Sequence, residues 1–236
     1  MACHGFSQTS RSWGRFGELL ASDHRVLALD LPGHGSSREI DGDLDAAARL
    51  VAEAAAGEEY DLLGYSMGGR VALRAATLRP PGLRRLVLIS ATPGIADESA
   101  RTARRLADER LADELETEGD LDAFLDRWLR QPMFATLPAE AADRAARRSN
   151  TVAGLARSLR HLGTGSQRPL WEELGRIEAP VLALAGATDS RFVDTNAKLV
   201  DRLAAGALSI ICGARHACHL EQPLQAAATV RAFLGP

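Results

Sequence analysis

Gly64-Tyr65-Ser66-Met67-Gly68-Gly69-Arg70 follows the short apolar run Tyr60-Asp61-Leu62-Leu63 and leads into Val71-Ala72-Leu73-Arg74-Ala75-Ala76. An apolar run, a G-x-S-x-G and then Ala and Leu at helical spacing spell a strand, a sharp turn and a helix, with a serine raised at the apex. Glycine suits positions 64 and 68 because a Cβ on either side of so tight a turn would meet the neighbouring strand or helix. The apex also lies at a helix N-terminus, where free backbone N–H groups favour an anion. An ordinary Gly-rich turn with an unreactive serine carries the same five-residue pattern, so the partners of Ser66 decide the reading.

On the N-terminal side, His4-Gly5-Phe6 has the form of a loop leaving a buried strand, with a glycine freeing the backbone to turn. Trp13, Phe16, Leu19 and Leu20 share one face of a helix over residues 12–21. Residues 25–30 form a short apolar strand ending in the turn-rich Leu31-Pro32-Gly33-His34-Gly35, and residues 43–57 an Ala-rich helix with an aspartate at its start. Past the elbow helix, Pro80-Pro81 is a stop and residues 83–90 another apolar strand. Strands that are continuously apolar and alternate with helices belong to a parallel sheet covered on both faces.

Between residues 97 and 174 strand signals vanish, and charged helices rich in Ala and Leu take over. Residues 179–186 restore a strand, 192–204 a helix, 208–211 a strand and 222–234 a closing helix. The expected fold is therefore an α/β core formed by residues 1–96 and 175–236, with residues 97–174 inserted as a helical lid. Length permits one substantial core: the chain has 236 residues.

A formal net charge of -3 argues against nucleic acid as a bulk electrostatic partner. The three cysteines, Cys3, Cys212 and Cys218, have no metal-ligand spacing and suit free thiols in a reducing compartment. No apolar run approaches the roughly 20 residues that cross a bilayer, so the expectation is a cytoplasmic protein without membrane contact. Nothing in the sequence fixes an oligomeric state.

A reactive serine needs a histidine, and the histidine needs an acid that holds its tautomer. The order serine, acid, histidine is met if Asp189 follows the strand ending at Gly186 and His216 the strand ending at Ile211. Both would then share a sheet edge with Ser66, where open parallel sheets place their sites. Asp194 falls inside the next helix and is the poorer acid; His219 rivals His216 but comes three residues later, adjoins Leu220 and suits packing against the lid. The backbone N–H groups of Met67, after the serine, and Phe6, in the His-Gly-x loop, would make an oxyanion hole. Arg70 lies one turn beyond Ser66, and Arg101, Arg104, Arg105, Arg147 and Arg148 lie in the inserted helices. Guanidinium groups converging on one pocket would select a small molecule with several carboxylates.

The His4-Gly5-Phe6, Asp30-Leu31-Pro32-Gly33-His34-Gly35 and Gly64 to Arg70 segments resemble the α/β-hydrolase fold. Arg70, Trp128 with Gln131-Pro132-Met133-Phe134, Arg148-Ser149-Asn150, Gly186-Ala187-Thr188-Asp189-Ser190-Arg191-Phe192 and His216-Ala217-Cys218-His219-Leu220-Glu221-Gln222-Pro223 narrow this. Together they are similar to the 2-succinyl-6-hydroxy-2,4-cyclohexadiene-1-carboxylate synthase family of menaquinone biosynthesis. The resemblance implies a lyase that expels pyruvate from 2-succinyl-5-enolpyruvyl-6-hydroxy-3-cyclohexene-1-carboxylate, which has three carboxylates. It implies Ser66, Asp189 and His216 as the catalytic triad and Phe6 and Met67 as the oxyanion hole. Arg70, Arg104 and Arg148 would grip carboxylates, Tyr65 and Trp128 would line the pocket, and neither metal nor organic cofactor is implied.

Two departures from the family carry expectations. Arg215 stands where such loops usually have glycine, which would alter the turn before His216. The family also has strands ahead of His-Gly-Phe, so the sequence reads as shortened at its N-terminus, leaving two central strand edges without partners. The competing readings are a serine esterase or carbon–carbon bond hydrolase on the same fold, and a non-catalytic binding protein.

Overall fold

Leu62, Leu86 and Leu88 on one face of the sheet and Leu63, Val87 and Ile89 on the other are all buried, as strands covered on both sides require. The computed structural model describes residues 1–235 and contains a six-stranded, wholly parallel sheet. Its strands are β1 (Ala2–Cys3), β2 (Ala28–Leu29), β3 (Tyr60–Tyr65), β4 (Leu83–Ile89), β5 (Val181–Gly186) and β6 (Gly206–Ile211). Their spatial order is β2-β1-β3-β4-β5-β6.

The first apolar face packs against α2 (Leu44–Ala54) and α3 (Met67–Thr77), through Ala47, Val51, Val71, Leu73 and their neighbours. The second packs against α1 (Gly14–Ala21) and the C-terminal helix, through Phe16, Leu20, Ala226 and Val230. Asp43 caps α2 by accepting from the Ala46 N–H at 2.8 Å, as its place before the Ala-rich run foretells. The helices between β4 and β5 are α4 (Glu98–Glu118), α5 (Leu121–Leu129), α6 (Arg144–Arg147) and α7 (Val152–Leu162). They have an apolar cluster of their own, built on Ala112, Leu115, Phe124, Leu125, Leu155 and Leu159. After β5 comes α8 (Ser190–Val200), and after β6 come α9 (Cys218–Glu221) and α10 (Pro223–Leu234).

The expectation that two central strand edges lack partners is corrected at one end of the sheet. Ala2 and Cys3 pair with Ala28 and Leu29 on one side and with Leu63 and Gly64 on the other. The correction covers only that end, because β1 is two residues long. Residues 25–27, expected to be strand, are irregular: their pairing with β1 stops at Leu27 O, which accepts from the Ala2 N–H at 2.9 Å, and Val26 and Leu27 are more than a third exposed. They line a cavity of about 370 Å³ whose other walls include Tyr60, Asp61 and Leu62 of β3. Among the described residues no helix is long and apolar enough to cross a membrane.

Candidate active site

Ser66 has φ 51° and ψ -108°, a left-handed conformation rare for a residue with a Cβ. It is held there by its own N–H donating to Ile89 O at 2.9 Å and by the first turn of α3, where Arg70 N–H reaches Ser66 O at 3.1 Å. Although Ser66 precedes the helix, its hydroxyl caps nothing. It lies 2.9 Å from His216 Nε2, and His216 Nδ1 lies 3.1 Å from Asp189 Oδ2. The carboxylate accepts from Nδ1–H, which leaves Nε2 free to take the serine proton. Three residues from three sheet-edge loops thus form one continuous hydrogen-bonded chain.

Each loop is fastened from behind. Thr188, before Asp189, donates from both N–H and Oγ1 to Ala214 O, at 3.0 and 2.9 Å, and so joins the aspartate loop to the histidine loop. Glu221 accepts from the N–H groups of Arg215 (2.9 Å) and Ala217 (3.0 Å), bracketing His216, and from the hydroxyl of Thr136. Arg215 is not among the residues with positive φ, so the turn does not need the glycine expected there. Phe192 packs on the imidazole with 4.6 Å between ring centroids.

Among the described residues, the N–H groups of Phe6 and Met67 donate to no protein acceptor. Both residues line a cavity of about 500 Å³ shared with Ser66, Arg70, Arg104, Trp128 and His216. Arg70 is buried and donates to Gln167 Oε1 (3.1 Å) and Leu162 O (2.5 Å). Burial first, and then repulsion by Arg104, bring its pKa down to about 10, so it is still a cation at neutral pH. Arg104 Nε is 2.8 Å from Asp108 Oδ1. Arg191, quoted in the sequence motif but given no role there, also lines the cavity, which therefore sets three guanidinium groups against one carboxylate, Asp108.

Two residues expected at the substrate are placed elsewhere. Tyr65 is buried against His216 and His219, with centroids 5.5 and 4.4 Å away, and does not line the cavity. Arg148 is on the surface, paired with Asp122 at 2.8 Å, while its neighbour Arg147 is the one turned inward. Glu221, which braces the His216 loop, and Asp108 and Gln167, which hold Arg104 and Arg70, carry no sequence signal for these roles. No group of three or more His, Cys, Asp or Glu side chains among the described residues is disposed to hold a metal ion.

His219 packs, but not against the inserted helices as expected: it sits in a core box of Trp13, Phe16 and Tyr65, with neither ring nitrogen hydrogen-bonded. Burial depresses its pKa to about 3, and those of His34 and His4 to about 3 and 4. The folded chain refuses protons that the unfolded chain accepts below about pH 6.5, so this stability is present above that pH and lost as pH falls. Each imidazole removes about 2 kcal/mol between pH 7 and pH 5. His219→Phe is expected to shrink the loss between those two pH values by that amount in urea denaturation; an unchanged loss would contradict the neutral buried imidazole.

Comparison with known proteins agrees with this architecture. The Alpha/beta hydrolase family model matches residues 2–230. The 2-succinyl-6-hydroxy-2,4-cyclohexadiene-1-carboxylate synthase of Salmonella agona (strain SL483) is 37% identical over 226 residues, spanning 93% of this chain and 87% of that protein. The structure of MenH from S. aureus superposes with a TM-score of 0.91 at 32% identity, over 99% of this chain and 91% of that one. The enol-lactonase from Burkholderia xenovorans LB400 shares the fold, with a TM-score of 0.80 at 20% identity over 99% and 89% of the two chains. The chain belongs to the alpha/beta hydrolase family and, within it, to the 2-succinyl-6-hydroxy-2,4-cyclohexadiene-1-carboxylate synthases.

Proposed function

We propose that the protein eliminates pyruvate from 2-succinyl-5-enolpyruvyl-6-hydroxy-3-cyclohexene-1-carboxylate, giving 2-succinyl-6-hydroxy-2,4-cyclohexadiene-1-carboxylate. The observation that carries this reading is the surplus of guanidinium groups around a hydrogen-bonded serine, which fits a substrate with three carboxylates far better than a neutral ester. His216 Nε2 takes the Ser66 hydroxyl proton while the serine oxygen removes a ring proton. The C–H electrons pass into the ring and break the C–O bond to the enolpyruvyl group. The departing enolate takes the proton from His216 and leaves as pyruvate, so no water is consumed. Negative charge developing on a substrate oxygen falls to the Phe6 and Met67 N–H groups, each such donor contributing roughly 10²- to 10³-fold in rate.

Asp189 keeps the imidazole tautomer and stabilises the imidazolium. Residues 97–174 serve as the lid, because α4, α5 and α7 supply Arg104, Asp108, Trp128 and Leu162 to the cavity wall. Arg70 and Arg104 hold carboxylates, with Arg70 kept in place by Gln167 and the end of α7. Arg70→Met is expected to raise KM about 10-fold or more with a smaller effect on kcat, since it removes a bidentate ground-state contact. The deciding assay incubates the purified chain with the enolpyruvyl substrate and measures pyruvate. Ester hydrolysis without pyruvate release would replace this reading with that of a serine hydrolase.

A further inference from the structure

Ser7, directly after Phe6, has φ 63°, a left-handed conformation with a cost for any residue bearing a Cβ. It is fully buried, and every polar group it has is taken by a different partner. Its N–H donates to His34 Nε2 at 3.1 Å, and its carbonyl accepts from Asn150 Nδ2 at 2.8 Å. Its hydroxyl accepts from the Arg147 guanidinium. Asn150 Oδ1 in turn accepts from Gly35 N–H at 2.9 Å, in the loop that carries His34. Arg147 is 2% exposed, has no carboxylate within ion-pair distance among the described residues, and is further held by Ala142 O at 2.7 Å. A buried guanidinium that meets only a serine hydroxyl and a carbonyl is costly, and its net effect is to fix Ser7.

We propose that Arg147 and Asn150, at and just beyond the end of α6, are positioning residues. By clamping Ser7 in its left-handed conformation they keep the adjoining Phe6 N–H turned into the cavity, so seating of the inserted helices completes the oxyanion site. The proposal rests on the elimination reading above for its kinetic test. His34 belongs to the same clamp: its Nδ1–H donates to Pro32 O at 3.0 Å, which leaves Nε2 as the acceptor for Ser7. Neither Arg147 nor Asn150 lines the cavity, so their influence runs through the loop and not through substrate contact.

The test uses the full chain and steady-state pyruvate release. Asn150→Asp keeps an acceptor for Gly35 but loses the donor to the Ser7 carbonyl; it is expected to lower kcat about 10- to 100-fold with KM within about two-fold. Arg147→Met should behave alike, and Arg147→Lys, which can still reach the hydroxyl, should recover most of the loss. Ser7→Gly relieves the backbone strain, which offsets part of the cost of leaving Arg147 with one acceptor fewer, and should still lose several-fold in kcat. Values of kcat within two-fold of the unsubstituted chain for Asn150→Asp and Ser7→Gly, or a loss confined to KM, would overturn the clamp. If Asn150→Asp shows no cooperative melting, Ser7→Gly decides. If the unsubstituted chain releases no pyruvate, the elimination reading fails instead, and deuterium exchange of the segment spanning Phe6 decides the clamp: faster in the variants if it holds, unchanged if it does not.

Discussion

Ser66→Ala is expected to reduce kcat for pyruvate release by about 10³-fold or more while leaving the fold intact, since removing one member of a proton-transfer unit disables the whole. The hydroxyl makes one hydrogen bond, to His216 Nε2 at 2.9 Å, and caps no helix, so its loss withdraws nothing structural. Alanine retains a Cβ and therefore the same φ of 51°, so the elbow is no more strained than before. Binding should survive, because the guanidinium groups of Arg70 and Arg104 are untouched. The expected pattern is thus a collapse in kcat, an unchanged melting temperature and retained affinity for the tricarboxylate, read by calorimetry. A variant with more than about a tenth of the original turnover would remove Ser66 from the chemistry and, with it, the proton transfer to His216 that Asp189 orients. Such an outcome would favour a base elsewhere in the cavity, where Asp108 is the one lining carboxylate among the described residues.

The three members of that path were legible because each follows an apolar strand, and the C-terminal ends of parallel strands converge on one edge. The sheet needs no knowledge of distant contacts to be read that far. Tyr65 shows where such reading went astray despite an available signal: strand alternation puts it on the face of Leu63, under His219, and not beside the serine it adjoins. Arg147 and Arg148 differ for a reason the sequence hides. They end a four-residue helix whose phase is set by Asp143, held at φ 46°, and a shift of one residue turns a side chain by a quarter of a circle or more. Residues 25–27 have strand composition and no strand structure, because their pairing with β1 ends at the bond from Ala2 N–H to Leu27 O and a strand extends no further than its partner. Glu221 was equally hidden: an acid in a C-terminal helix became the brace of the histidine loop through contacts that only the folded chain makes.

Gly68→Ala is expected to destabilise the protein by about 3 kcal/mol or more, a change at the far end of what single overpacking substitutions do. A Cβ built at position 68 would stand 2.1 Å from Cys3 O, 2.4 Å from Cys3 C and 2.5 Å from His4 O. All three are backbone atoms of the segment that forms β1 and enters the Phe6 loop, so no side-chain rotation can relieve the contact. The same segment uses Gly68 directly, through its N–H donating to His4 O at 3.0 Å. Since β1 is the two-residue link between β2 and β3, moving it unpairs both neighbours at once. Gly175→Ala is the matched control: a Cβ there meets nothing within 4 Å, and the substitution should stay within about 0.5 kcal/mol of the parent. For a chain of this length the Gly68 variant should melt roughly 6 to 12 °C lower, by the scaling of about 2 to 4 °C for each kcal/mol. Its residual activity should fall further than its folded fraction, because displacing Cys3 and His4 also carries the Phe6 N–H out of line. A melting temperature within 2 °C of the control would mean that β1 yields freely, and that the sheet between β2 and β3 does not depend on those two residues.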